Sequence, residues 1–309
     1  MSIAPKQNIQ AISSISDEKT SPTLNKKGKG TDDVIKERIS SEIIISLCGA
    51  VGSLTEEFRS SLKSSLTAAG YKTVHIKISD LLPQEKDKTN EADRITSLQN
   101  KGNHLREKHG SDYLAKLAIK RISTERSRII REEKEDIIND AEQNKTKCRI
   151  AYIIDQLKHP SEVFLFRLVY PQNFYLLTII RTEKERRIHL EEKRIQSEKI
   201  DDIIRRDRKE KDKTGQQVEK TAVLADYFIR NQHDHARNIN KEIDRFVKLI
   251  HGAEGMSPRR DEKAMMTAYF ASLQSACLSR QVGAAITDED GRVLSTGRND
   301  VPEYPAVSA

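Results

Sequence analysis

The chain has 309 residues, 36% of them hydrophobic and 33% charged, with a formal net charge of +7. That is enough chain for one large or two modest folded units, and the positive excess fits anionic partners such as nucleotides or RNA as well as a plain solvated surface. Cys48, Cys148 and Cys277 form no C-x-x-C pair, which argues against a zinc ribbon or a disulfide framework and points to a reducing, cytoplasmic setting; no apolar run approaches the roughly 18 residues of a membrane span, and the start lacks the apolar core of a secretory signal.

Residues 1–40 are rich in Ser, Lys, Asp and Thr, so burial would not offset the entropy of ordering them, and they read as a flexible tail. The first strong signal is EIIISLCGAVGSLTEEF. Its apolar run Ile43, Ile44, Ile45 and Leu47 is too short for a core helix and meets glycine directly, the pattern of a buried parallel strand. Phe58, Leu62 and Leu66 then recur at helical spacing until Gly70, and Val74, Ile76 and Ile78 alternate as a second strand. The βαβ unit places GAVGS where backbone N–H groups and a helix N-terminus could hold phosphate. Gly49, Gly52 and Ser53 are the candidate contacts. The loop has no lysine, unlike a full Walker A sequence, so it reads either as a structural turn or as a nucleotide-binding loop, with phosphoryl transfer disfavoured.

In the segment 101–137, Leu114, Leu117, Ala118, Ile122 and Ile129 mark a long amphipathic helix with a solvated charged face. Ile150 to Ile154 form another buried strand ending in Asp155, placed either to hold Mg²⁺ at the carboxyl edge of the sheet or to cap the next turn. Pro160 and Ser161 start a short helix, and FYLLTII supplies the next strand. The charge-dense segment 181–217 reads as an exposed helical hairpin, with Arg205, Arg206 and Arg208 as candidate phosphate-covering arginines. Ala225 to Ile229 form a last short strand, and Ile239, Ile243, Phe246, Leu249 and Ile250 one helix face. His233 and His235 beside Asp234 read as a metal pair or a polar turn. The alternation predicts an α/β fold with a doubly wound parallel sheet.

The final stretch, AMMTAYFASLQSACLSRQVGAAITDEDGRVLSTGRNDVP, resembles the first part of a cytidine/deoxycytidylate deaminase domain: a helix with S-x-x-S-x-C-x-x-R, a strand, a DEDG turn and VLSTGRN. The pieces GAVGS, ISDLL, GNHLRE, IIDQLKHPSEV and GQQVEKTAVLADYFI are similar to a P-loop nucleotide-kinase-like domain fused ahead of it. This pairing resembles bacterial anti-phage dCTP deaminases. The resemblance implies a P-loop-kinase-like domain over 41–252 and the start of a deaminase domain, a helix plus β-hairpin, over 256–309. It implies a defence function that depletes deoxycytidine nucleotides, with dCTP or dCMP as substrate, Asn299 on the substrate sugar and Arg280 near its phosphate or a subunit contact. A nucleoside triphosphate in the first domain, regulatory RNA and a homo-oligomer are further expectations; the alternative reading is a nucleotide- or RNA-sensing regulatory module without catalysis. The chemistry of a complete member requires Zn²⁺ held by H-x-E and P-C-x-x-C motifs. No P-C-x-x-C occurs in this sequence and no H-x-E stands in its deaminase-like stretch, so the chain as it stands is expected to hold no catalytic metal and to be inactive, as a shortened or frameshifted form would be.

Overall fold

The computed structural model describes residues 41–83, 90–139, 148–208, 215–231 and 236–301. The expected tail over 1–40, the His233–Asp234–His235 cluster and the last residues from 302 lie outside them. Strands β1 (Glu42–Gly49), β2 (Tyr71–Lys77), β3 (Arg149–Asp155), β4 (Phe174–Ile180) and β5 (Tyr227–Arg230) form one parallel sheet in the order β2-β3-β1-β4-β5. Helices α1 (Glu56–Ala68), α2 (Glu91–His109), α3 (Tyr113–Asn139), α4 (Pro160–Val169), α5 (Glu183–Glu192), α6 (Ser197–Arg208), α7 (Val218–Ala222) and α8 (Ala236–Ile250) connect and cover the strands. The expected α/β class and doubly wound sheet are what the chain forms.

The inner strands β1, β3 and β4 are largely apolar because their successive side chains enter two different cores. Ile44, Tyr152, Ile154 and Leu176 pack with Leu114, Ile122 and Ile129 of α3 and Val163 and Phe166 of α4. Ile45, Leu47, Ile153 and Leu177 pack with Phe58, Leu62 and Leu66 of α1 and Ile239, Ile243 and Phe246 of α8. Helix α1 begins where Thr55 Oγ1 accepts the Phe58 N–H, and α4 where the His159 side chain accepts the Ser161 N–H ahead of Pro160.

The long amphipathic helix marked by Leu114 to Ile129 is α3; a separate helix, α2, ends before it, because Gly110 takes φ +105° and its N–H bonds the Arg106 carbonyl. One expectation changes here. Segment 181–217 is not merely an exposed hairpin: Leu190, Ile195, Ile200, Ile203 and Ile204 of the α5–α6 region bury together against Ala92 of α2. Ile195, Ile200, Ile203 and Ile204 are core residues of a third cluster that packs α2, α5 and α6 together, while Ile188 stays exposed.

Gly252 and Gly255, with φ +64° and +75°, turn the chain from α8 into α9 (Arg260–Leu273). Two ion pairs tie these helices, Arg245–Glu262 and Arg259–Glu242, each at 2.7 Å. Strands β6 (Gly283–Thr287) and β7 (Val293–Arg298) then form an antiparallel pair of their own. Helix α9 lies directly on β6, and Gly283 is required there: a Cβ at this position would collide with the Ala268 carbonyl and the Ser272 amide. The apolar residues Tyr269, Phe270, Leu278, Ile286 and Leu294 of this segment remain exposed. Among the described residues, no helix is long and apolar enough to cross a membrane.

Candidate functional site

The chain leaves β1 for β2 at the sheet edge, whereas it leaves β3 for β4 across β1. Neighbouring strands whose exits diverge open a crevice at their carboxyl ends, the usual ligand position of an open α/β sheet. Here the crevice is a cleft of about 400 Å³. The loop Ala50–Gly52 after β1, Lys77–Asp80 after β2, Asp155–Gln156 and Lys158 after β3, and the inner face of α2 form its walls.

Gly49, Gly52 and Ser53 do occupy the strand-to-helix turn, but the protein itself fills the space around it. Gly52 has φ +84°, and a Cβ there would stand 3.1 Å from the Arg186 carbonyl oxygen, so α5 crosses directly over the loop. Arg181 Nη1 donates to the Gly52 carbonyl at 3.2 Å, Arg186 Nη1 to the Val51 carbonyl at 3.4 Å, and Asn231 Nδ2 to the Ser53 carbonyl at 2.8 Å. The side-chain amide of Gln156 donates to the Gly49 carbonyl. The Val51 N–H donates to Asp207 Oδ2 at 2.7 Å, and the other oxygen of this fully buried carboxylate accepts the Lys158 ammonium at 2.7 Å. A backbone donor expected to serve a ligand phosphate is therefore satisfied by the chain's own anion, and the cation absent from the loop arrives from the β3–α4 connection. Ser53 is buried, and its hydroxyl has no partner among the described residues; it lines a smaller cavity of about 340 Å³ with Arg181 and Arg186.

Asp155 stands at the cleft floor as the sequence suggests, but neutralised. Its Oδ2 accepts Arg59 Nε at 2.6 Å, and His75 Nε2 lies 3.4 Å away. Burial alone would raise its carboxyl; the His75 hydrogen bond and the Arg59 charge and hydrogen bond outweigh that, and hold it below the usual carboxylate range. Arg59 thus supplies the charge compensation that a divalent cation would otherwise give.

On α2, Arg106 pairs with Glu162 at 2.8 Å in a fully buried bridge, and Arg94 pairs with Glu91 at 2.7 Å. Of the basic side chains lining the cleft, Lys77 and Lys193 form no ion pair among the described residues. Gln99 is 3% exposed, and both polar atoms of its carboxamide lack a partner among the described residues. Arg205 and Arg206 do not reach the cleft: they bond Asp202 at 2.6 Å and Asn100 at 2.5 Å respectively, and Arg208 ends α6. Arg181 and Arg186 are the arginines beside the loop. Neither these two nor Gln99, Lys158 and Asp207 carried a local signal; Val51 and Asp207 meet across 156 positions.

In the segment from 256, Asn299 binds within its own chain. Its Oδ1 accepts the Val282 N–H at 2.7 Å and the Ser275 hydroxyl at 2.9 Å, and its Nδ2 donates to the Arg280 carbonyl at 2.7 Å. Asn299 thereby closes the loop 275–282 onto the end of β7, and the Arg280 side chain is exposed beside it. The residues of this segment do not fit a catalytic zinc. Its one thiol, Cys277, lies 3.3 Å from the Ser279 hydroxyl, and the sequence after His251 contains no imidazole.

No family model matches this chain, and no curated protein matches it.

Proposed function

We propose that the chain binds a deoxycytidine nucleotide in the cleft between β1, β3 and α2. In this reading it is a member of the anti-phage deoxycytidine-nucleotide deaminase family, with 41–252 recognising nucleotide and the segment from 256 belonging to the deaminase-type unit. The observation that carries the reading is the cleft itself: it lies where the exits of β1 and β3 diverge, has the volume of a small-molecule site, and carries Lys77 and Lys193, which form no ion pair among the described residues.

The charges favour binding over phosphoryl transfer. Transfer needs cations free to meet charge developing on the phosphate, whereas Lys158 is held by Asp207 and Arg59 by Asp155. Support for the deaminase relationship is the order α9, β6, β7 with Gly283 under the helix and Asn299 closing the loop. Zinc, when present in a complete domain of this kind, would supply an activated hydroxide; the residues of this segment are assigned no step in that chemistry.

The test is calorimetric titration of the chain with dCTP, dCMP, UMP, inorganic phosphate and a short RNA. Saturable one-to-one binding of a deoxycytidine nucleotide supports the proposal. Binding of RNA alone would favour an RNA-sensing module, and no binding of any nucleotide would overturn it.

A further inference from the structure

Two features of α2 have no packing explanation, and both lie in the cleft wall. The first is Gln99: its carboxamide is buried among apolar and charged neighbours, yet neither the oxygen nor the nitrogen has a partner among the described residues. Leaving both polar atoms unpaired is costly, and native proteins tolerate it where something else supplies the bonds. The second is Gly102, one turn further along the same helix and also lining the cleft. Glycine inside a helix costs about 1 kcal/mol relative to alanine. Gly102 has no positive φ, and a Cβ there would meet only Arg106 Nη1 at 3.6 Å and Leu114 Cδ1 at 3.7 Å, ordinary contacts. Nothing in the fold therefore demands glycine. What its missing side chain leaves is room along the α2 wall of the cleft, one turn from Gln99.

The remaining surroundings define what fits this room. Ile78, Leu82, Ile95, Leu98 and Leu114 give the cleft an apolar lining near Gln99. A flat heteroaromatic ring with an adjacent donor and acceptor on its edge would bury its faces against them while pairing with the carboxamide through two hydrogen bonds. Lys77, from the end of β2, and Lys193, from the end of α5, supply ammonium groups for an anionic group attached to such a ring. The loop after β1 does not compete for this role, since Asp207 already holds its Val51 N–H.

We propose that Gln99 is the base-reading residue of the cleft: its carboxamide pairs with the edge of a nucleobase that occupies the space kept open by Gly102. This rests on the nucleotide-binding reading above and adds where the base sits and what recognises it. A cytosine satisfies Gln99 completely, since the exocyclic amine donates to Oε1 and ring N3 accepts from Nε2.

The experiment titrates wild-type protein, Gln99→Leu and Gly102→Ala with dCMP and with 2-deoxyribose 5-phosphate, which keeps the charge and lacks the base. For dCMP, Gln99→Leu should weaken binding about 10- to 100-fold, the effect of losing a buried hydrogen-bonded pair. Gly102→Ala should also weaken it while leaving the thermal midpoint the same or higher. Binding of 2-deoxyribose 5-phosphate should be equal in all three proteins, which a merely structural role for Gln99 would not produce. Unchanged dCMP affinity in a folded Gln99→Leu protein would overturn the base-reading role and leave nucleotide binding standing. Absence of dCMP binding by the wild-type protein would overturn both.

Discussion

Asp207 holds the loop after β1 from within the protein: its two oxygens take the Val51 N–H and the Lys158 ammonium, each at 2.7 Å. The carboxylate is wholly buried and the lysine nearly so, so each makes the other tolerable. Asp207→Ala should destabilise the protein by about 3–5 kcal/mol in urea unfolding, because it strands a charge. The double variant Asp207→Leu with Lys158→Met should lose markedly less. Equal losses would mean that the pair is not the source of the effect.

Asp155 gives a pH dependence with a definite sign. Its folded-state carboxyl lies below its ordinary value of 3.8, so its contribution to stability is complete above that value and is lost as the pH falls through the depressed one. Wild-type protein should be more stable than Asp155→Asn near neutrality, with the difference shrinking as the medium is acidified below about pH 4. A difference that stays constant with pH would show that the Arg59 and His75 interactions do not depend on the charge.

The two cleft glycines should respond in opposite ways to alanine. Gly52 combines φ +84° with a 3.1 Å approach to the Arg186 carbonyl, so Gly52→Ala should cost at least the roughly 1–2 kcal/mol of a left-handed residue. Gly102→Ala should be neutral or stabilising in the same denaturation assay. For this reason a substitution at Gly52 tests the packing of α5 on the loop before it tests any ligand.

Thiol reactivity should differ sharply along the chain. Burial pushes the Cys48 thiol up to about 12, whereas the hydrogen bond from Ser279, followed by those from the Arg280 and Ser279 backbones, lowers that of the half-buried Cys277. Iodoacetamide at neutral pH should label Cys277 well before Cys48, as peptide mass mapping would show. Comparable rates would mean that the β1 core opens readily.

The sequence carried the local half of this structure. Apolar runs ending in Gly49 and Asp155 located β1 and β3, and the spacing of Phe58, Leu62 and Leu66 located the buried face of α1, because each signal lies within one element. The spacing from Leu114 to Ile129 located α3, whereas the polar sequence of α2 gives it no apolar signal of its own. The loop chemistry was only half legible. The absence of a loop lysine was visible, but its replacement by Lys158 and the closure of Val51 by Asp207 depend on elements that meet only in the fold. Gln99 had no signature at all, since a glutamine in a polar helix looks solvated until its burial is known.

Hydrogen exchange of the chain with and without saturating dCMP tests the central claim most directly, because it reports where a ligand acts as well as whether it binds. The account predicts added protection in three separate segments, the end of β2 around Lys77–Asp80, α2 from Ile95 to Gly102, and Asp155–Lys158, with little change in 275–299. Protection confined to 275–299, or no change anywhere at concentrations up to millimolar, would contradict it.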